Sequence, residues 1–212
     1  MVNKVAEKEK RSLNIPSEKW KQNKQEDNIK KYVWYAGYGS NLSEDRFLCY
    51  IKGGKPKYAN EEGAGCKDQS LPLKDKPISI YFSLYFAKNS SNWVGAVAFI
   101  GTKENKKGKP TLGRMWLITE EQFKEIRAQE GTSWYNKKIE LGKEEGMSIY
   151  TITHSAQLSF EKPSENYLKT IIGGLKETYP EMSTKELVEY LLEKEGIKGK
   201  YTEKELAKLT SE

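Results

Sequence analysis

Two short stretches of this chain hold residue types that can do chemistry together. The first is Tyr38-Gly39-Ser40-Asn41-Leu42, at the end of the apolar, aromatic run Tyr32-Val33-Trp34-Tyr35-Ala36. Glycine at positions 37 and 39 lets backbone approach a ligand with no Cβ in the way. Ser40 and Asn41 add side-chain donors and acceptors to those of the backbone. Such a loop suits a small anionic or amide-bearing ligand better than a large apolar one. The second stretch is Gln129-Glu130-Gly131, at the predicted C-terminal end of a short helix with an apolar inner face. A carboxylate there feels the negative end of the helix dipole, and partial burial disfavours its charged form further. Both effects move a glutamate toward the range of a general base. Each stretch also has a plainer reading: a strand-to-helix turn capped by Ser43, and a solvated glutamate before a C-cap glycine.

Other chemistries are poorly supplied. The single histidine, His154, ends a predicted strand and reads as structural rather than catalytic. Cys49 and Cys66 have neither close spacing nor partner motifs, so they give no zinc-ligand set. Nor do they make a disulfide framework, and a cytosolic setting would keep them reduced. Ser40 lies in Gly-Ser-Asn, not in the Gly-x-Ser-x-Gly of a nucleophile elbow. The glycines at 37 and 39 lack the third glycine and the βαβ context of a dinucleotide fingerprint, and no phosphate-binding P-loop sequence occurs. No metal and no cofactor is expected.

The elements that must position these residues follow from pattern. Residues 32–36 read as a strand, and Ser43-Glu44-Asp45 opens a helix with acids in its first turn. Phe47, Leu48, Tyr50 and Ile51 form its buried face, and Gly53-Gly54 ends it. Residues 55–77 read mostly as loop. Strands are predicted over 78–86, 93–100 and 111–118. Thr119-Glu120-Glu121-Gln122 is a capping box that starts the helix carrying Glu130. Two further strands fall at 136–141 and 147–154. The remainder is helical: one helix from Pro163-Ser164 to before Pro180, one from the capping box Ser183–Glu186 to Gly196, and a short one from Thr202. The order implies an α+β fold, a small, mostly antiparallel β-barrel with flanking helices and a helical C-terminal segment. Three regions are expected: a charged N-terminal extension over 1–30, flexible or helical; a barrel domain over 31–160; and C-terminal helices over 161–212 packing on the barrel.

The net charge of +6 and pI near 9.0 raise the question of nucleic acid. The distribution argues against it. Residues 1–31 carry nine Lys/Arg against five Asp/Glu, while residues 161–212 carry nine against eleven. The other lysines are spread over turns with no dense arginine cluster, which reads as a solvated surface. There is no membrane-length apolar run and no secretory signal, so the reading is cytoplasmic, with no membrane partner. A homodimer is left open.

Together the two chemical stretches resemble the γ-glutamylcyclotransferase family. The loop Tyr38-Gly39-Ser40-Asn41-Leu42 matches that family's Tyr-Gly-Ser-Asn-Leu in full, and Glu130-Gly131 matches its catalytic Glu-Gly pair. Tyr150 on a late strand matches a pocket-lining tyrosine by order, and Pro163-Ser164-Glu165-Asn166-Tyr167 matches a Pro-Ser-x-x-Tyr segment. The likeness spans about residues 33 to 195. Gly37 departs from it, standing where a bulkier residue is expected. The resemblance implies Glu130 as catalytic base, with Tyr38, Gly39, Ser40, Asn41, Leu42 and Tyr150 binding a small γ-glutamyl substrate. The implied reaction cyclises the γ-glutamyl group to 5-oxoproline and releases the amine. Trp93, Trp134 and Tyr135 are candidates for the pocket rim or for core packing. Two alternatives stand beside it: an enzyme of the same fold acting on another γ-glutamyl conjugate, and a non-catalytic ligand- or nucleic-acid-binding relative.

Overall fold

The computed structural model describes residues 30–211, so the expected N-terminal extension lies almost wholly outside the described residues. The chain forms β1 (Tyr32–Gly37), α1 (Glu44–Lys52), β2 (Asp75–Ile80), β3 (Phe82–Ser90), β4 (Gly95–Glu104) and β5 (Thr111–Thr119). There follow α2 (Glu120–Gln129), β6 (Lys137–Glu144), β7 (Met147–Thr153), α3 (Glu165–Thr178), α4 (Thr184–Leu192) and α5 (Glu203–Ser211). A single 3-10 turn, Ser40–Leu42, joins β1 to α1. Both predicted capping boxes form. The Thr119 hydroxyl accepts from Gln122 N–H, and Ser183 accepts from Glu186 N–H, each glutamine or glutamate reaching back in return. The long strand expected over 78–86 instead breaks at Tyr81 into β2 and β3, which join different sheets.

The five-stranded sheet has the order β2-β5-β1-β7-β6, antiparallel throughout except for the parallel β1–β7 pair; β3 and β4 form a separate ribbon. Among the described residues no closed barrel is seen, where a barrel was expected. Side chains occupy the backbone groups that a closing β4–β7 ladder would need. The Thr153 hydroxyl donates to Ile100 O at 2.6 Å and accepts from Ile100 N–H at 3.1 Å. At Ala98, the Tyr167 hydroxyl accepts from the N–H and the Tyr135 hydroxyl donates to the carbonyl, at 3.1 and 3.0 Å. The strands meet through hydroxyl bridges, and the gap beside Ala98 is left for a cavity.

Alternation along β1 separates two cores, as a period of two requires. Val33 and Tyr35 face one side, with Phe47, Tyr50 and Ile51 of α1 and Phe123 and Ile126 of α2. Trp34 and Ala36 face the other, which holds the β3–β4 ribbon and the apolar faces of α3, α4 and α5. The C-terminal helices therefore share one core with the strands. Among the described residues no helix is long and apolar enough to cross a membrane.

Candidate active site

The loop Tyr38–Leu42 is held from β5 and α3. The Trp116 indole N–H donates to Asn41 O at 3.0 Å, and Arg114 Nη1 donates to Leu42 O at 3.3 Å. Arg114 is itself fixed by Asp75 and Glu177, each at 2.8 Å, and its guanidinium lies 4.0 Å from the Trp116 ring centroid. Behind the loop, a Cβ on Gly174 of α3 would come within 2.3 Å of Ser43 N and 2.4 Å of Leu42 C. Only a hydrogen fits at that crossing. Gly37 has a similar cause, because its Cβ would sit 2.8 Å from that of Asn41. The departure at position 37 makes room for the Asn41 side chain.

Asn41 is the link to the carboxylate. Its Nδ2 donates to Glu130 Oε1 at 2.7 Å and lies 2.9 Å from the Tyr35 hydroxyl, while its Oδ1 is buried with no partner. Glu130 is half-buried and is the C-cap of α2, its N–H bonded to Ile126 O at 2.9 Å. Gly131 follows with φ +80°, a left-handed conformation that glycine adopts without strain. Its carbonyl accepts from the N–H groups of Trp134 and Tyr135, turning the chain back over the site.

Two adjoining cavities result. The inner one, of about 30 Å³, is lined by Tyr35, Tyr38, Gly39, Ser40, Asn41, Ala98, Glu130, Tyr135, Ile152 and Tyr167. A neighbouring cleft of about 390 Å³ shares Ser40, Glu130, Tyr135 and Tyr167 with it and is walled in part by Trp93, Trp134, Arg46 and Tyr50. Burial pushes the hydroxyls of Tyr35, Tyr38, Tyr50 and Tyr135 well above the ordinary phenol range, and that of Tyr167 upward. All five stay neutral at physiological pH, so they offer hydroxyl dipoles and no charge. The arrangement is a carboxylate oriented by a neutral amide in a small polar cavity, with a wider cleft beside it.

The structure brings Tyr38, Gly39, Ser40, Asn41 and Glu130 to one cavity. Leu42 is fully buried and anchors the loop rather than lining the cavity. Tyr150 lines neither the inner cavity nor the cleft; its ring stacks on Phe123 at 5.7 Å, with Lys138 Nζ 3.9 Å from its centroid. Tyr35, Tyr135 and Tyr167 take the wall instead. His154 lies outside both, its Nδ1 3.1 Å from Ala156 N. Trp93, Trp134 and Tyr135 line the cleft and also pack on the core, Trp93 as a buried member of it. Sequence reasoning does not single out Arg46, Tyr50 and Gln129 as site residues. The available signal is an arginine four residues before a tyrosine on the apolar face of a short helix. Among the described residues no cluster of three or more His, Cys, Asp or Glu is placed to hold a metal.

Comparison with known proteins places the fold. No family model matches the sequence. Among solved structures, a gamma-glutamyl cyclotransferase aligns over 86% of this chain and 100% of its own, with TM-score 0.55 and 18% identity. A human protein solved as uncharacterized aligns over 71% of this chain and 82% of its own, with TM-score 0.52 and 22% identity. The chain thus has a gamma-glutamyl cyclotransferase-like fold. In sequence, it is 30% identical over 192 residues to histone deacetylase 5 of Arabidopsis thaliana. That match takes in 71% of this chain but only 29% of the plant protein, so the chain spans under a third of that relative's length.

Proposed function

We propose that the protein is a γ-glutamylcyclotransferase-type enzyme, converting a γ-glutamyl amino acid or amine to 5-oxoproline and the free amine. The observation that carries this reading is the 2.7 Å hydrogen bond joining Asn41 of the loop to Glu130, with both facing one cavity. A solved cyclotransferase with the same fold supports it.

The chemistry needs little more than these residues. Glu130 takes a proton from the substrate's α-ammonium group. The freed amine attacks the γ-carbonyl carbon, forming a C–N bond and closing a five-membered ring. The tetrahedral centre collapses, the bond to the leaving nitrogen breaks, and protonated Glu130 returns its proton to that nitrogen. No water is consumed. Nucleophile and electrophile lie in one molecule, so holding the bent conformer lowers the barrier by orientation. The Gly39–Ser40 backbone and the neutral tyrosine hydroxyls are the groups available to bind the substrate's carboxylate or the developing oxyanion. Asn41 holds one carboxylate oxygen, and the Tyr50 hydroxyl also interacts with the carboxylate, so the base is oriented from two sides.

The test is product analysis with the parent protein and Glu130→Gln, which keeps the shape and a hydrogen-bonding side chain. Parent protein should yield 5-oxoproline, and the variant should lose about 10²–10⁴-fold in kcat while remaining folded. Near-normal turnover by the variant would remove Glu130 from its role.

A further inference from the structure

The Glu130 carboxylate meets two donors of different origin. The Asn41 amide comes from the loop after β1, and the Tyr50 hydroxyl comes from α1. Tyr50 is 4% exposed, and burial keeps its hydroxyl protonated. Arg46 precedes it by one turn of α1, and residues four apart share a helix face. Arg46 Nη2 donates to the Tyr50 hydroxyl. The guanidinium carbon lies 3.9 Å from the Tyr50 ring centroid and 6.0 Å from that of Trp93. A guanidinium, a phenol and the carboxylate thus form one hydrogen-bonded row.

The order of the row decides where each proton points. A guanidinium has donors only, so the phenol oxygen must be the acceptor at the Arg46–Tyr50 contact. The Tyr50 O–H then turns away from Arg46 and toward Glu130. A phenol without that contact is a rotor, able to donate or to accept. Arg46 is 7% exposed and keeps its proton, so the constraint lasts through turnover. It also settles a competition. Once Glu130 has taken a proton, a hydroxyl with a free oxygen beside it could accept that proton in a hydrogen bond and hold it back. The Tyr50 oxygen is already occupied by Arg46, which leaves the proton for the leaving nitrogen. Besides Glu130, the charged side chains lining the cleft are buried Arg46 and exposed Glu61. Only Arg46 can play this part. The Tyr50 backbone is held in turn from α2, where Gln129 Nε2 donates to its carbonyl at 3.0 Å.

We propose that Arg46 is a positioning residue that acts through Tyr50. It holds the Tyr50 hydroxyl as a donor to Glu130 and so keeps the base aimed at the reacting nitrogen atoms. This rests on the cyclotransferase reading and adds two residues to it, neither of which has to touch the substrate. The guanidinium also polarises the phenol and strengthens its donation, as a charged group at the head of a hydrogen-bonded chain does.

The test is a double-mutant cycle on turnover of γ-glutamylalanine. Tyr50→Phe removes the hydroxyl and keeps the ring on which Arg46 stacks. It should lower kcat by about 10–100-fold with little change in KM, because misaligning a reacting group acts on the chemical step. Arg46→Met should cause a similar loss in the parent and almost none in the Tyr50→Phe background, since residues acting as one unit are not additive. Arg46→Lys keeps a donor to the same oxygen and should recover part of the rate. Normal kcat in Tyr50→Phe would overturn the proposal, and that variant is the mildest to the fold. Equal losses from Arg46→Met with and without the Tyr50 hydroxyl would overturn it as well, assigning Arg46 to packing. If Arg46→Met does not fold, Arg46→Lys runs the same cycle. A parent that forms no 5-oxoproline would instead sink the cyclotransferase reading, and this proposal with it.

Discussion

Asn41 carries more of the site than its small side chain suggests. It donates to Glu130 from one amide nitrogen that also lies against Tyr35, while its backbone carbonyl is held by Trp116. Removing the amide with Asn41→Ala leaves Glu130 free to turn toward the cleft. We expect kcat to fall by up to about 100-fold with a smaller change in KM, since misplacement of a reacting group acts mainly on the chemical step. Steady-state kinetics of that variant beside Glu130→Gln would check this, and an unchanged kcat would show that the bond has no part in turnover. At this scale the sequence is legible where motif and geometry coincide, at Tyr38–Asn41 and Glu130. It misleads at Tyr150, because position in a strand does not say which aromatic neighbour a ring will meet. Arg46 and Gln129 are obscure because the cleft they line is assembled from residues far apart in the chain, which no local pattern records.

Among the elements, α3 fixes the loop through one glycine of an adjacent pair. Gly174 crosses the Leu42–Ser43 backbone with no room for a Cβ, whereas a Cβ on Gly173 would meet nothing within 4 Å. The two substitutions should therefore have opposite signs. Gly173→Ala should stabilise by about 0.5–1 kcal/mol through helix propensity. Gly174→Ala should destabilise by about 1–3 kcal/mol through overpacking and should lower kcat by moving the loop. Chemical denaturation of both variants measures the difference; equal effects would mean that the crossing is looser than described. The helices and their caps are legible because Thr119–Gln122 and Ser183–Glu186 are local signals. The absence of a closed barrel among the described residues is not. It depends on Thr153, Tyr135 and Tyr167 bonding to residues 37 to 69 positions away along the chain. The parallel β1–β7 pairing has the same long-range character.

For the molecule as a whole, a buried lysine gives stability a pH dependence away from the site. Lys194 is 7% exposed, with Nζ 3.9 Å from the Tyr190 ring centroid. Burial pushes its ammonium group down to about 8 from an ordinary 10.5; Glu193 opposes the shift and Lys109 adds to it. The folded state then binds fewer protons than the unfolded state between about pH 8 and 10.5, so stability rises with pH across that window. Below pH 8 the cost of burying the charge is present in full. Lys194→Met should be more stable than the parent at pH 7, with the advantage shrinking as pH rises through the window. Thermal unfolding of both proteins at pH 7 and pH 10 checks this, and a gap that stays constant would show that Lys194 is not the cause.

In the proposed reaction the γ-glutamyl group is released by its own amine and not by water. The decisive experiment is turnover of γ-glutamylalanine in ¹⁸O-labelled water, with products followed by mass spectrometry. Cyclisation yields 5-oxoproline and alanine in equal amounts, with no ¹⁸O incorporated during turnover. Formation of ¹⁸O-labelled glutamate would mean hydrolysis, and would contradict both Glu130 as the base for the substrate's amine and the part played by the loop around Asn41.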